Sequence, residues 1–216
     1  MRLRNVKNAY EIVNNSPYVL SFDEACKHRS MFREEVFHNL NPIHLEIGMG
    51  KGNFLIDMAM KNPDINFVGV ERYESVVCRA IEKLDMLEKP LENIKILCVD
   101  AYCLDKIFGS DIDTIYLNFS DPWPKNRHRK RRLSSHTYLP IYDVISRGDT
   151  IIEQKTDNLG LFASTIVSLS TYGYVIEEVS FDLASTDKPN SLTEYEEKFM
   201  SQGVKINYLK AIKRNE

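Results

Sequence analysis

Between residues 43 and 52 the chain reads Ile43-His44-Leu45-Glu46-Ile47-Gly48-Met49-Gly50-Lys51-Gly52, a short apolar run followed by alternate glycines. The apolar run predicts a buried β-strand, and the glycines predict a sharp turn because glycine adopts backbone conformations that other residues avoid. Apolar residues then recur at helical spacing at Phe54, Leu55, Met58 and Ala59. This region therefore predicts a strand, a tight turn and a helix in succession.

The same alternation of strand and helix continues along the rest of the chain. Further strands are predicted at residues 66–71, 94–99, 114–119, 150–153, 174–181 and 204–212. Helices are predicted at residues 22–37, 76–87, from 102 onward, 138–145, 159–169 and 192–200. Such alternation with short connections predicts an α/β fold with a doubly wound, mostly parallel, seven-stranded sheet. Because the last two strands lie close together and partly alternate, they are expected to form an antiparallel C-terminal edge.

Composition is that of an ordinary globular protein. The 216 residues are 43% hydrophobic and 27% charged, which excludes disorder and a disulfide scaffold. We expect one domain over residues 1–216, in which residues 1–40 form an N-terminal extension with a helix. No apolar run approaches the roughly 18 residues needed to span a bilayer, and the first residues are polar, so a cytoplasmic location without membrane contact is expected. The four cysteines and five histidines lack metal-ligand spacing, so no metal is expected.

Charge at the glycine turn distinguishes two kinds of ligand. In an open α/β sheet a ligand lies beyond the carboxyl ends of the strands, where Gly48 and Gly50 let the backbone approach it. A dinucleotide fingerprint would have a third glycine at residue 53, but the chain has Asn53. Glu46 would repel a pyrophosphate and attract the sulfonium and ammonium groups of S-adenosylmethionine. The turn therefore favours a methyl donor over a dinucleotide, with a purely structural turn as the alternative.

Two acidic residues follow the next two strands. Glu71 lies about twenty residues beyond the glycines, where an acidic side chain can accept both hydroxyls of an adenosine ribose. Asp100 follows the third strand and is interpreted either as an acceptor for the adenine amino group or as the N-cap of the next helix.

The fourth predicted strand ends in Asn118-Phe119-Ser120-Asp121-Pro122-Trp123-Pro124-Lys125. Because a proline restricts the residue before it to extended geometry, Asp121 and Trp123 are expected to be held in fixed directions at the ligand-binding edge. Asp121 is interpreted as the carboxylate beside the methyl acceptor. Trp123 is interpreted either as a stacking surface for a base or as a core residue.

A basic run follows at residues 125–132. It contains six lysines and arginines and no acid, so the rest of the chain carries a net charge of −9 although the whole chain carries −3. A concentrated basic run indicates contact with a polyanion, and its place beside Asp121 favours a nucleic-acid substrate over an exposed loop without a partner.

These motifs together resemble the bacterial tRNA guanine-N7 methyltransferases. The resemblance covers nearly the whole chain and rests on residues 46–52, 117–125, 127–128 with 130–132, 155–158 and 193–199. It implies a class I, Rossmann-like methyltransferase fold. It also implies transfer of a methyl group from S-adenosylmethionine to N7 of the guanine at position 46 in the variable loop of tRNA. We therefore expect tRNA as the partner, and the sequence leaves both a monomer and a homodimer open.

Carried over by position, the resemblance places methyl-donor contacts on Glu46, Glu71, Asp100 and Asp121. It places tRNA contacts on Arg127, His128, Arg129, Lys130, Arg131 and Arg132. Substrate-binding positions fall on Lys125, Asp157, Thr193, Glu194, Tyr195 and Glu196. For Asp157 and residues 193–196 the assignment rests on the resemblance alone, since the pattern by itself predicts a helix cap and an exposed helix start.

Guanine N7 carries a lone pair and no proton at neutral pH, so its attack on a methyl group needs no base. Asp121 is therefore the candidate catalytic residue through stabilisation of positive charge on the purine, and not through proton removal. Three alternatives stay open at this point. They are a non-catalytic RNA-binding module on the same fold, a methyltransferase for another RNA or base atom, and a nicotinamide-dependent oxidoreductase, which Asn53 and the basic run disfavour.

Overall fold

A computed structural model describes residues 6–186, 191, 193, 195, 196, 199 and 202–214. Its strands are β1 (Val19–Leu20), β2 (Ile43–Ile47), β3 (Asn66–Val70), β4 (Ile94–Leu97), β5 (Ile112–Asn118), β6 (Ser146–Thr156), β7 (Val175–Ser180) and β8 (Asn207–Lys213). Its α-helices are α1 (Ala9–Asn15), α2 (Phe22–Lys27), α3 (Asn53–Lys61), α4 (Glu74–Asp85), α5 (Leu104–Ile107), α6 (Leu139–Ile145) and α7 (Leu159–Tyr172). A π-helical turn spans Phe32–Val36, and 3-10 helices span Ala101–Cys103, Asn126–Arg131 and Leu183–Ser185.

One sheet contains all of these strands, in the order β1-β4-β3-β2-β5-β6-β8-β7. The pairs from β1 to β6 are parallel, whereas β8 is antiparallel to both β6 and β7. The mostly parallel sheet with an antiparallel C-terminal edge is thereby confirmed. Because parallel crossovers are right-handed, the connections on the two sides of β2 place their helices on opposite faces of the sheet.

The chain leaves β2 toward β3 and β4, then returns to the other side of β2 with β5 and β6. Loops at the carboxyl ends of β2 and β5 therefore diverge, and a crevice opens between them. This topological switch point brings the glycine turn after β2 and the loop after β5 to the same edge of the sheet.

Apolar side chains explain why these segments form buried strands. All five residues of β3 are buried, as are four of the five residues of β2 and six of the seven residues of β5. Burial on both faces accounts for near-continuous apolar runs in place of strict alternation. On α4 the buried residues fall at helical spacing, namely Val77, Cys78, Ala80, Ile81 and Leu84.

The prediction of seven strands is wrong by one, because β1 adds a two-residue strand beside β4. A strand of that length has no detectable period. Strand β1 belongs to the N-terminal extension. Residues Phe32 and Phe37 of this extension are buried in one hydrophobic cluster of the core, and Val13 and Tyr18 are buried in another.

The helix predicted over residues 22–37 is also wrong, because it breaks into α2 and the π-helical turn. Ser30, which lies between them, has a φ of 68°. The carboxylate of Asp111 accepts from the backbone N–H groups of Ser30 at 2.9 Å and Phe32 at 3.4 Å. This tertiary contact draws the chain out of the helical path. None of the helices in the described ranges is long and apolar enough to cross a membrane.

Candidate active site

A cleft of about 1780 Å³ opens at the carboxyl edge of the sheet. It brings together ten of the residues selected from the sequence, which are Glu46, Gly48, Gly50, Glu71, Asp100, Asp121, Trp123, Arg131, Thr193 and Tyr195. Other selected residues lie outside its lining, namely Lys125, Arg127, His128, Arg129, Lys130, Arg132, Asp157 and Glu196. Glu194 lies outside the described residues.

The glycine turn forms one wall of the cleft. Gly48 and Gly50 have φ values of 81° and 57°, in the left-handed region that residues with a Cβ rarely adopt. The N–H groups of Gly48 and Met49 both donate to the carbonyl of Val70, at 2.8 and 3.1 Å, which ties the turn to the end of β3. A Cβ on either glycine would have no atom within 4 Å. The backbone conformation therefore requires glycine here, and the adjoining space is open to a ligand.

Glu46 is a buried carboxylate at the base of the cleft, only 2% exposed. Its Oε1 accepts from Asn118 Nδ2 at 2.9 Å, while Glu46 Oε2 and Asn118 Oδ1 are buried without a hydrogen-bond partner among the described residues. Burial raises the pKa of the Glu46 carboxyl to about 7, although the Asn118 hydrogen bond and the Lys155 charge oppose that rise. Two unpartnered buried acceptors fit a ligand with several N–H donors and a positive charge, such as an amino-acid ammonium group.

Two further carboxylates lie along the same edge. Glu71 Oε1 accepts from the backbone N–H groups of Arg72 at 2.8 Å and Tyr73 at 3.2 Å, which orients its side chain. Burial also raises the pKa of Glu71. Asp100 is exposed, and its Oδ1 accepts from the N–H of Tyr102 at 2.9 Å, so it caps the 3-10 helix that follows β4. The helix-cap alternative for Asp100 is therefore confirmed, while its place in the cleft lining leaves it within reach of a ligand.

The loop after β5 carries Asp121, which is exposed within the cleft. Phe119 and Trp123, on either side of it, have φ values of 48° and 40°. The expectation of extended geometry for Trp123 before Pro124 is therefore wrong. Trp123 is half-buried at the rim of the cleft, with the Arg131 guanidinium 4.8 Å from its ring centroid and the His128 ring packed edge-on at 5.6 Å. The rim location rules out a role for Trp123 as a core residue.

The cations of the basic run fall into two groups, those exposed to solvent and one, Arg132, that points into the protein. Lys125, Arg127, Arg129, Lys130 and Arg131 are exposed, and most of them lie on the 3-10 helix Asn126–Arg131. His128 is half-buried against Trp123.

Arg132 differs from the other cations, because it is only 7% exposed. Its guanidinium donates to the carbonyls of Pro122 at 2.9 Å and Trp123 at 3.1 Å, and to Ser164 Oγ at 2.6 Å. The expectation that Arg132 faces tRNA with the rest of the run is corrected by this inward direction.

Sequence reasoning missed Asn118 and Lys155 as site residues. Lys155 is 7% exposed, and its Nζ donates to the Ser191 carbonyl at 2.9 Å and to Glu196 Oε2 at 3.3 Å. The Nζ atom also lies 4.9 Å from the ring centroid of Phe54, at the start of α3. A lysine at the end of an apolar strand was the available signal, because such a residue must find a buried partner.

The segment around Thr193 is more buried than its pattern predicts. Glu196 N–H donates to Thr193 Oγ1 at 3.0 Å, and Thr193 N–H donates to Glu196 Oε2 at 3.4 Å, which is a reciprocal capping box. Thr193 is 8% and Glu196 1% exposed, so the prediction of an exposed helix start is wrong for these two residues, whereas Tyr195 is 45% exposed. The Tyr195 ring stacks with that of Phe119 at 6.2 Å between centroids, which joins this segment to the loop after β5.

Asp157 is half-buried at the carboxyl end of β6. It is not the cap of α7, because Asn158 is the N-cap and its Oδ1 accepts from Leu161 N–H at 2.8 Å. The helix-cap interpretation of Asp157 was therefore wrong by one residue.

Comparison with known proteins places this chain among methyltransferases. Residues 40–209 match a family described as "Putative methyltransferase". A tRNA (guanine-N(7)-)-methyltransferase of Lachnoclostridium phytofermentans is 44% identical over 219 residues, covering 100% of each chain. The enzyme of the same name from Streptococcus suis is 46% identical over 214 residues, covering 98% of this chain and 99% of its own.

Solved structures share the fold at lower identity. A mutant of the 16S rRNA (adenine(1408)-N(1))-methyltransferase from Catenulisporales acidiphilia, with its cosubstrate S-adenosylmethionine, aligns with a TM-score of 0.62 at 13% identity over 89% of this chain and 91% of its own. The 16S rRNA methyltransferase KamB aligns with a TM-score of 0.62 at 13% identity over 86% and 93% of the two chains. These structures show a common class I methyltransferase fold.

Proposed function

Because the chain belongs to the family of tRNA (guanine-N(7)-)-methyltransferases, it is an S-adenosylmethionine-dependent methyltransferase, and we propose that it methylates N7 of guanine 46 in the variable loop of tRNA. The observation that carries the proposal is one cleft that combines the buried Glu46 carboxylate, whose Oε2 has no hydrogen-bond partner among the described residues, with Asp121, next to a row of exposed cations. As an enzyme that modifies tRNA, it is proposed to act in the cytoplasm.

S-adenosylmethionine, when bound, supplies a methyl group activated by a sulfonium. Glu46 and Asn118 would hold its ammonium group, since Glu46 Oε2 and Asn118 Oδ1 have no hydrogen-bond partner within the described part of the chain. Glu71, oriented by two backbone N–H groups, would accept the ribose hydroxyls, and Asp100 would accept from the adenine amino group. The open face of the glycine turn would let these contacts form without a steric clash.

The chemistry of the acceptor atom, guanine N7, requires this chain to position the base and to stabilise charge on it. Since guanine N7 bears no proton at neutral pH, the residues around it have no proton to remove, and placement of the base dominates. Positive charge accumulates on the purine as the methyl group arrives, and the Asp121 carboxylate would stabilise it. A guanine engaged in tertiary pairing must leave its stack at a cost of a few kcal/mol, which contacts to the exposed cations can offset.

Methylation of tRNA transcripts tests this proposal directly. Two unmodified transcripts, one with guanine and one with adenine at position 46, are incubated with labelled S-adenosylmethionine and then digested to nucleosides. Label recovered as 7-methylguanosine from the guanine transcript alone is the expected result. Label in another nucleoside or in both transcripts would indicate another atom or position. Donor binding without transfer to either transcript would indicate another RNA substrate, and absence of donor binding would favour the RNA-binding module.

Donor binding is expected to strengthen as the pH rises from 6 to 7.5. Because the pKa of the Glu46 carboxyl is raised to about 7, roughly a tenth of it is ionised at pH 6 and about three quarters at pH 7.5. Calorimetry should therefore show a dissociation constant about eightfold higher at pH 6, with proton release on binding that is detectable in buffers of different ionisation enthalpy.

The Glu46→Gln variant is the control for this pH dependence. It should bind the donor weakly at every pH and release no proton. The unliganded protein should show the opposite trend in stability, because a raised carboxyl pKa stabilises the fold below the ordinary pKa of 4.5 and this contribution is lost as the pH rises through 7. Donor affinity that stays constant from pH 6 to 7.5 would contradict the assignment of Glu46.

Affinity for tRNA is expected to fall steeply with salt, and the double variant Arg129→Ala/Lys130→Ala should flatten that dependence. Both side chains are exposed on the 3-10 helix of the basic run. Each phosphate contact contributes roughly 0.7–0.9 to the slope of log affinity against log salt, so the slope should fall by about 1.4–1.8. Lys89→Ala, an exposed cation between α4 and β4 at the opposite edge of the sheet, should leave the slope unchanged. An unchanged slope in the double variant would locate the tRNA elsewhere.

A further inference from the structure

We propose that Arg132 is a positioning residue that holds the Asp121 loop in its reactive shape through the backbone of Pro122 and Trp123, and that it makes no contact with tRNA phosphates. The inference rests on the proposed role of Asp121 in methyl transfer. It separates Arg132 from the neighbouring cations of the basic run, with which the sequence groups it.

Contacts of the guanidinium support this role. Nε donates to the Pro122 carbonyl at 2.9 Å, Nη2 to the Trp123 carbonyl at 3.1 Å and Nη1 to Ser164 Oγ at 2.6 Å. All three nitrogens are thus engaged within the protein, and 7% of the residue is exposed. The guanidinium places its donors on three nitrogens in one rigid plane, whereas the three N–H donors of a lysine share a single nitrogen, so a lysine cannot reproduce the spacing of these contacts.

The backbone conformation of the loop at residues 119–123 explains why the hydrogen bonds of Arg132 are needed. Phe119 and Trp123 have φ values of 48° and 40°, which non-glycine residues adopt only when their surroundings enforce it. On the strand side, the Phe119 N–H donates to the Lys155 carbonyl at 2.8 Å, which fixes the beginning of the loop to β6. The two carbonyls held by Arg132 follow directly after Asp121. Asp121 therefore lies between two anchors, and Arg132 supplies the second through Ser164 of α7.

Arg131 shows that adjacent cations of the run have different tasks. Its guanidinium lies over the exposed side of the loop, 4.8 Å from the Trp123 ring centroid, and the residue is exposed at the cleft. Arg132 reaches the carbonyl of the same tryptophan from within the protein. One side chain is therefore available to a nucleic acid, whereas the other supports the loop.

A comparison of Arg132→Lys with Arg147→Lys tests the proposal, because each change keeps the positive charge and Arg147 is an exposed cation at the amino end of β6, outside the cleft lining. The kcat with saturating tRNA and donor should fall at least about tenfold in Arg132→Lys, since the planar guanidinium is lost, and should stay near wild type in Arg147→Lys. The salt slope of tRNA binding should be unchanged in Arg132→Lys and in Arg132→Ala, whereas Arg129→Ala should flatten it by roughly 0.7–0.9. Donor affinity should change less than twofold in all four variants.

Fluorescence gives a readout that does not depend on activity. Trp123 is the single tryptophan of the chain, so intrinsic emission reports on this loop. Acrylamide should quench it about twice as effectively in Arg132→Lys as in wild type, whereas Arg147→Lys should not differ from wild type. Ser164→Ala removes one of the three bonds and should give a smaller change of the same kind, which keeps the test valid if Arg132→Ala fails to fold.

Two outcomes would overturn the proposal. A flattened salt slope in Arg132→Ala with normal kcat would make Arg132 a phosphate contact, and wild-type kcat and quenching in Arg132→Lys would remove its role in the loop. Wild-type protein that binds tRNA but does not methylate the transcript with guanine 46 would instead contradict the proposed function. Quenching and salt slopes would still report on Arg132 in that case.

Discussion

Replacement of Asp121 by asparagine is expected to lower kcat for tRNA methylation by about 10²–10³-fold. Asparagine has nearly the same size and can still accept a hydrogen bond, but it lacks the charge that would stabilise a developing positive purine. The magnitude is that measured when one group is removed from a preorganised electrostatic site. Single-turnover rates with saturating tRNA and donor measure the effect on the chemical step without the contribution of product release.

Binding measurements separate this role from a structural one. Because Asp121 is exposed in the cleft, the substitution should leave the fold intact. The affinity for tRNA should change less than twofold, and the affinity for the donor by a few-fold at most, since Asp121 is one of several proposed donor contacts. Asp64→Asn, which changes an exposed carboxylate before β3, should have no effect on kcat. Full turnover by Asp121→Asn with unchanged donor binding would show that the carboxylate has no electrostatic role.

Replacement of Lys155 by methionine is expected to lower the free energy of unfolding by about 3–5 kcal/mol, a large part of the stability of a typical domain. Methionine fills much of the lysine volume but leaves the Glu196 carboxylate, 1% exposed, without its cation. Burial also lowers the pKa of Lys155, while the Glu196 charge opposes that shift. Urea denaturation followed by circular dichroism measures the change.

An exposed ion pair of the same chain is the matched control for Lys155. Lys61 pairs with Asp57 at 2.6 Å, but its side chain is 56% exposed, so Lys61→Met should cost less than about 1 kcal/mol. The double variant Lys155→Met/Glu196→Gln should be more stable than the sum of the single changes implies, because the second substitution removes the uncompensated charge. Additive effects of the two substitutions would show that the side chains are not energetically coupled.

Local patterns located seven of the eight strands. The predicted strand at residues 43–47 coincides with β2, and those beginning at 66 and 94 coincide with β3 and β4 to within two residues at their ends. Apolar runs, helical spacing and glycine turns depend on neighbours in the chain, so they are readable without the fold. The rule that ligands lie beyond the carboxyl ends of parallel strands then placed Glu46, Glu71 and Asp121 at one edge.

The direction of individual side chains depended on contacts between distant parts of the chain. Arg132 and Arg129 are both cations of one short run, yet only Arg132 turns inward, because the Pro122 and Trp123 carbonyls and Ser164 Oγ surround it. Lys155 found its partner in Glu196, 41 residues further along the chain. Neither the inward direction of Arg132 nor the pairing of Lys155 with Glu196 produces a periodic pattern in the sequence, so local spacing could not predict either of them.

The sequence alone therefore determined the α/β class and the mostly parallel sheet with its antiparallel C-terminal strands. It also determined that the acidic residues and the glycine turn meet at the carboxyl ends of the parallel strands. Tertiary structure alone decided that Trp123 adopts a positive φ, that Asp111 interrupts the N-terminal helix, and which charged side chains are buried. The physical reason is the distance along the chain over which each interaction acts. Backbone preferences act over a few residues, whereas burial, ion pairing and the support of a strained loop require groups that only the folded chain brings together.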